Sequence, residues 1–260
     1  MPYCRIDKKL FYIGNEPFSP EVLNEMKLCQ KIYFVSDNNE HFNRPIDGIL
    51  PEGIEKIVIK SLRFNQSVDR LPNSLRKLKI SNNLEMGGFD MPVENLPLGL
   101  EILTIDGKFN QPIDFLPSTL KELSLGSNFS QSLNNLPIVS SGLTHLKLYG
   151  EHCYDLTNIP KSVWYLHMEY PQINEKKYVV KIPEWIEYLS LGDFFDEEIK
   201  FNLPKNLTHL SLGEYYSQSF NDRRFHYSFT VVISPNYKWL IPDSVDYVKR
   251  PNKYSHNFRR

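Results

Sequence analysis

The sequence predicts a β-rich solenoid, a right-handed coil of about ten turns built on one long parallel sheet with a short, non-helical convex side. Three observations predict it. An apolar triplet spaced three and then two residues apart recurs in eight clear copies from Ile54 to Leu212, at intervals of 20 to 25 residues. A proline stands at a fixed distance before nearly every copy. The composition, with 18 Pro, 12 Gly, 16 Phe, 15 Tyr and 3 Trp, interrupts long helices yet supplies many side chains that favour burial. A unit this short cannot enclose its own apolar face, so its neighbours must cover it.

Charge separates the remaining classes only coarsely. The 30 Lys and Arg nearly balance 31 Asp and Glu, which excludes a uniformly basic nucleic-acid coat and an acidic tail protein. Met1 to Leu10 carries Arg5, Asp7, Lys8 and Lys9 and no apolar stretch of signal-peptide length, so a soluble, cytoplasmic protein that does not meet a membrane is expected. Cys4, Cys29 and Cys153 are odd in number and widely spaced, which suits a reducing compartment.

Taken in order, residues 1–28 read as an N-terminal cap. Ser19-Pro20-Glu21 followed by Val22, Leu23 and Met26 is an N-capped, proline-initiated helix, with Ile6 to Ile13 as a candidate strand ahead of it. Residues 29–220 are the repeats. The triplets are Ile54-Ile57-Ile59, Leu75-Leu78-Ile80, Leu100-Leu103-Ile105, Leu120-Leu123-Leu125, Leu143-Leu146-Leu148, Val163-Leu166-Met168, Ile186-Leu189-Leu191 and Leu207-Leu210-Leu212. Weaker copies flank them at Cys29-Ile32-Phe34 and Val245-Val248. The alternation that ends each copy is that of a strand with one buried and one exposed face. The prolines, among them Pro72 and Pro117, lie three residues before the first apolar position, where a residue without an N–H suits the corner leading into a strand.

A second motif follows most strands: Phe42-Asn43-Arg44-Pro45-Ile46, Phe64-Asn65-Gln66-Ser67-Val68, Phe89-Asp90-Met91-Pro92-Val93, Phe109-Asn110-Gln111-Pro112-Ile113, Phe129-Ser130-Gln131-Ser132-Leu133 and Tyr216-Ser217-Gln218-Ser219-Phe220. The aromatics are expected to stack in a spine beneath the convex side, with the following Asn turned inward onto loop backbone groups. By offset from the preceding strand, Cys153 takes the Asn position in its coil and Phe195-Asp196 fills the motif in another. Gly126, Gly150, Gly192 and Gly213 suit tight turns after strands. Residues 221–253 read as a final irregular repeat and C-terminal cap, where Phe225, Tyr227, Phe229, Val231 and Ile233 alternate as an added strand or hairpin. Residues 254–260 read as a basic tail.

The Phe-Asn motif followed by Leu-Pro and the strand triplet resembles the FNIP repeat, a subfamily of leucine-rich repeats, from about residue 29 to 250. The resemblance implies a repeat domain that works by presenting a surface, and a context in social amoebae or the large DNA viruses that infect them, including a viral effector or adaptor of the host cytoplasm or virion.

The exposed strand positions are the candidate partner-binding residues. In the third motif position stand Lys31, Lys56, Lys77, Ile102, Glu122, His145, Tyr165, Tyr188, His209 and Tyr247; in the fifth, Tyr33, Val58, Lys79, Thr104, Ser124, Lys147, His167, Ser190, Ser211 and Lys249. Lysines gather in the early coils and Tyr and His in the later ones. Tyrosine gives a large contact area with a polar tip, so a protein partner centred on Tyr165, His167, Tyr188 and His209 is expected, with Lys56, Lys77 and Lys79 drawing its acidic part. Strand-face aromatics and solvated lysines are the structural alternative. Polyanion or nucleic-acid binding by the lysines is a second reading, and a substrate receptor for ubiquitin ligation in trans a third, although residues 1–30 resemble no F-box or BTB-type recruiting module. His145, His167 and His209 lack a carboxylate or thiol at a ligand spacing, so neither metal nor cofactor is expected. No nucleophile elbow, phosphate loop or H-E-x-x-H is present, and Asp193, Asp196, Glu197 and Glu198 look like a solvated corner, so a non-catalytic, monomeric scaffold is expected.

Overall fold

The computed structural model describes residues 2–36, 41–81, 88–134, 136, 142–150, 154–169, 181–199, 202–219, 230–234, 237–238, 241 and 246–249. Thirteen strands form one sheet in chain order: β1 Tyr3–Ile6, β2 Lys9–Ile13, β3 Lys31–Val35, β4 Lys56–Lys60, β5 Lys77–Ser81, β6 Ile102–Ile105, β7 Glu122–Leu125, β8 His145–Leu148, β9 Tyr165–Met168, β10 Tyr188–Leu191, β11 His209–Ser211, β12 Thr230–Ile233 and β13 Asp246–Lys249. All pairings are parallel except β1 with β2. The parallel sheet therefore has two strands more than the ten that the triplets announce.

At the N-terminal end, β1 and β2 form a hairpin around Asp7, whose φ of 54° is left-handed. The expected single strand at Ile6–Ile13 is thus a hairpin whose second arm already belongs to the parallel sheet, with Leu10 and Tyr12 fully buried. Helix α1, Pro20–Met26, then crosses to β3; Ser19 caps it by accepting from the Val22 N–H at 3.4 Å. Among the described residues it is the single helix, and the described parts of the convex side are turns and extended pieces.

The core holds the inward triplets. Ile32, Ile57, Leu78, Leu103, Leu123, Leu146, Leu166, Leu189 and Leu210 align across the sheet and are 0–1% exposed. The proline spacing has a direct cause: the carbonyl of Pro72, Pro97, Pro117, Pro160, Pro183 or Pro204 accepts from the N–H three residues on, which closes the turn and delivers the first apolar side chain inward.

The aromatic spine is present. Phe42, Phe64, Phe89, Phe109, Phe129 and Tyr154 stack in succession at 5.8, 5.9, 5.9, 6.1 and 6.4 Å between centroids, with ring planes within 17°. Phe195, Tyr216 and Tyr237 repeat the arrangement at 6.0 and 6.2 Å. Tyr154 shows that the aromatic position of its coil comes two residues later than offset counting gives. Asp155, not Cys153, follows the spine aromatic there; Cys153 itself lies outside the described residues.

The Asn positions differ from expectation in orientation. Rather than turning inward, each side chain lies along the convex surface and accepts the backbone N–H of its counterpart in the next coil. Asn15 Oδ1 accepts from Asn43 at 2.8 Å, Asn43 from Asn65 at 3.0 Å, Asn65 from Asp90 at 3.0 Å, Asp90 from Asn110 at 2.8 Å and Asn110 from Ser130 at 2.9 Å. Asp196 accepts from Ser217 in the same way. The rung uses only an acceptor, which explains why Asp serves at 90 and 196.

The glycines after strands act through close approach. A Cβ on Gly213 would lie 2.1 Å from the Gly192 carbonyl oxygen and 2.3 Å from the Asp193 Cα, and one on Gly192 would meet Glu169 at 2.4 Å. At the C-terminal end β12 is a further parallel strand, with Val231 and Ile233 buried, while Phe225, Tyr227 and Phe229 lie outside the described residues. Its pairing with β13 puts Asp246 in the column of His209 and Thr230, and Tyr247 in that of Leu210 and Val231. Tyr247 and Lys249 therefore stand one register position away from the outward columns that the Val245-Val248 spacing gave them. The pairing of Val231 with Tyr247, rather than with Val248, sets this register.

Candidate functional site

The concave face is built by register. Because every parallel pair from β2 to β11 is in phase, equivalent outward positions fall in straight columns running across the sheet. The third-position column reads Lys9, Lys31, Lys56, Lys77, Ile102, Glu122, His145, Tyr165, Tyr188 and His209. Strands in a sheet lie about 4.8 Å apart, which is within ring-stacking reach.

In the C-terminal half that column becomes a stack of rings. His145 lies 5.0 Å from Tyr165, Tyr165 lies 4.8 Å from Tyr188 and Tyr188 lies 5.4 Å from His209, with interplanar angles of 29°, 22° and 14°. Each ring faces its neighbours, and all four side chains are partly exposed at the face. The stack is braced at its sides. Trp164 packs edge-on against His145 at 4.7 Å, and Lys147 Nζ lies 6.0 Å over Tyr165 while pairing with Glu122. Thr144 and Thr208 hydroxyls bond the Nδ1 atoms of His145 and His209 at 2.9 and 3.0 Å.

His167, in the adjacent column, is tied down differently. Its Nδ1 meets Ser190 Oγ at 2.9 Å and its Nε2 meets Glu169 Oε2 at 3.0 Å, with 14% of the side chain exposed. Glu169 in turn accepts from the Asp193 N–H, and Tyr149 packs over the imidazole at 5.0 Å. Burial, then Glu169, raises the Tyr149 hydroxyl above its ordinary pKa. Next to this group the exposed rings of Phe194 and Tyr215 stack at 5.6 Å.

The structure thus brings Tyr165, Tyr188, His209 and His145 into one row, sets His167 beside it in a hydrogen-bonded cluster, and keeps Lys56, Lys77 and Lys79 in the other half of the face. Trp164, Tyr149 and the Phe194–Tyr215 pair were missed by column reading, since they stand before or after the strands. The signal for the pair was available in the matching Gly-acid-aromatic runs Gly192-Asp193-Phe194 and Gly213-Glu214-Tyr215. Among the described residues, no group of three or more His, Cys, Asp or Glu is placed to hold a metal ion, and no helix is long and apolar enough to cross a membrane.

A parallel sheet of this phase, with turns for a convex side and an aromatic spine beneath them, defines a leucine-rich-repeat type of solenoid, a class of repeat scaffold. Among solved structures the chain is similar to CroV588, described as a novel circular LRR protein, at a TM-score of 0.56 and 17% identity over 96% of this chain and 51% of that one. It spans about half the length of that protein, and the likeness is one of fold. The FNIP repeat matches residues 42–83, 90–128, 109–140 and 178–215, together about half of the sequence, and the chain belongs to the FNIP repeat family. No protein of curated function matches it significantly.

Proposed function

We propose that the chain is a non-catalytic scaffold that binds a partner protein on its concave face, centred on the row His145, Tyr165, Tyr188 and His209. The continuous stack of these rings across four strands supports the reading most directly. Stacking already restricts the side-chain rotamers, so little conformational entropy remains to be lost on binding. Tyrosine edges offer hydroxyls as donors and acceptors beside apolar area, the combination enriched at the energetic centres of interfaces. His167, bound to Ser190 and Glu169, lies beside the row rather than at its centre.

The test compares affinity capture from native lysate by the wild-type chain and by Tyr165→Ala/Tyr188→Ala, with far-ultraviolet circular dichroism confirming that both are folded. Two interface tyrosines at about 2 kcal/mol each correspond to roughly a thousandfold loss of affinity, enough to remove the partner from the captured fraction. Equal capture by the folded double variant overturns the reading.

A further inference from the structure

We propose that the N-terminal half of the concave face seats an acidic amphipathic helix of the partner protein, laid across β2 to β5. This deepens the scaffold reading and rests on it. Lys9, Lys31, Lys56 and Lys77 occupy the same outward position in four consecutive strands, and Lys79 stands beside the last of them. Like charges directly opposite one another destabilise a sheet. Among the described residues, no carboxylate lies within ion-pair distance of any of these lysines. The column is thus a run of like charge, offset at Lys77 by the longer-range attraction of Glu101, that an anionic partner would relieve.

The neighbouring outward column is apolar from β2 to β4 and ends in Lys79 on β5. Phe11 and Tyr33 stack at 4.7 Å and 14°, Val58 follows in register at 4% exposure, and Ile13 and Val35 lie two positions further along their strands. A cationic row therefore runs beside an apolar row, about 6.7 Å away along the strands. Lys56 leans over Tyr33 with its Nζ 5.7 Å from the ring, so its stem adds to the apolar strip while its charge stays at the surface.

The pairing of rows and their spacing select the occupant. Side chains three and four residues apart on a helix lie about 5–6 Å apart, close to the ~4.8 Å between strands, so successive carboxylates on one stripe meet successive lysines. Four lysines span about 14 Å, the length of roughly ten helical residues. An adjacent apolar stripe on the same helix covers Phe11 and Tyr33, the part-exposed rings of that column. A nucleic-acid strand would satisfy the lysines but set a charged backbone against the apolar row, which disfavours it.

The test is fluorescence anisotropy with the full chain and a labelled, capped peptide of about 18 residues, about 27 Å as a helix, with Glu along one stripe and Leu along the next. Its comparison probes are an isomer with the same residues dispersed around the helix and a single-stranded oligothymidylate. The one-stripe peptide is expected to bind about tenfold more tightly than the dispersed isomer or the oligonucleotide, and about tenfold more weakly to Lys31→Ala/Lys56→Ala/Lys77→Ala. Equal binding of the isomer, tighter binding of the oligonucleotide, undiminished binding by the triple variant, or no binding of the peptide overturns the inference. The isomer comparison needs no variant and so decides the question even if the triple variant fails to fold. If the peptide fails while Tyr165→Ala/Tyr188→Ala still loses its partner, this inference falls and the scaffold reading stands.

Discussion

Replacing Phe109 by Ala tests the spine where it carries most. The ring is 1% exposed and stacked on Phe89 at 5.9 Å and Phe129 at 6.1 Å, so truncation leaves a void between two coils with no flexible neighbour to fill it. Removing about 150 Å² of buried apolar area at ~25 cal/mol per Å² costs about 4 kcal/mol, within the range of Phe→Ala changes in protein cores. Phe109→Leu retains most of that volume and costs about 1–2 kcal/mol. In a solenoid each coil touches only its neighbours, so the loss falls on one junction and weakens the coupling between the two halves. Trp164, Trp185 and Trp239, the chain's three tryptophans, all lie on the C-terminal side of it. Urea unfolding of the wild type is expected to give coincident transitions by tryptophan fluorescence and by circular dichroism. In Phe109→Ala the dichroism transition should begin earlier and the two probes should separate, with a total shift of about 1–2 M in midpoint at an m-value near 2–3 kcal/mol/M. Coincident transitions together with a loss below about 1 kcal/mol would refute the idea that the stack joins the coils.

The Asn rungs are expected to depend on acceptance alone: Asn110→Ala leaves the Ser130 N–H without its 2.9 Å partner and costs about 1–2 kcal/mol, whereas Asn110→Asp, chemically the residue found at 90 and 196, should stay within about 0.5 kcal/mol in the same urea assay. The lysine column predicts a gain from reversing a charge. Lys56→Glu turns two repulsive cross-strand contacts, with Lys31 and Lys77, into attractive ones, so stability should rise by about 1 kcal/mol at low salt and the gain should vanish near 1 M salt, again by urea midpoint. Alkaline pH should unfold the chain. Burial raises Tyr154 and Tyr216 well above their ordinary values and Tyr237 to about 12, so their contribution is complete below the unfolded-state value near 10 and is lost as pH rises from about 10 to 12. Tyrosinate absorbance should then appear together with the loss of dichroism; gradual titration over a retained fold would contradict it.

The inward face of the fold was legible because a buried strand position tolerates few residue types. Leu78, Leu103 and Leu146 each had to be apolar, and the period followed from counting them. The proline corner was legible for the same reason, since a residue that needs no N–H suits both halves of that turn. Legibility ended where a coil departs from the period. Lys9-Leu10-Phe11-Tyr12-Ile13 has the alternation of a repeat strand but lacks the first apolar residue of the triplet, so it reads as a cap and proves to be the first parallel strand. In the coil of Tyr154 a two-residue insertion moves the spine aromatic away from its usual offset, and stacking on Phe129 at 6.4 Å, not spacing, identifies it. At the C-terminal end β12 enters between two recognisable triplets, and the register of Tyr247 moves with it. In each case packing against the previous coil overrides sequence distance.

The concave face was legible in identity and illegible in role, and the repeat accounts for both. Strand phase fixes which residues share a column, so the Lys-to-Tyr change along the face could be read from the triplets alone. Nothing in the spacing fixes how neighbouring side chains in a column treat each other. The structure supplies opposite answers in the two halves: Tyr165 and Tyr188 stack and stabilise one another, whereas Lys31, Lys56 and Lys77 stand in line with no carboxylate at ion-pair distance among the described residues. His167 belongs to the first kind, its imidazole held by Ser190 and Glu169 beside the row. One half of the face is therefore already satisfied and offers shape and polar edges, while the other is unsatisfied and offers charge. A partner long enough to cross both would gain affinity from the ring row and orientation from the lysines, because reversing it would carry its acidic groups away from the lysines and toward Glu122.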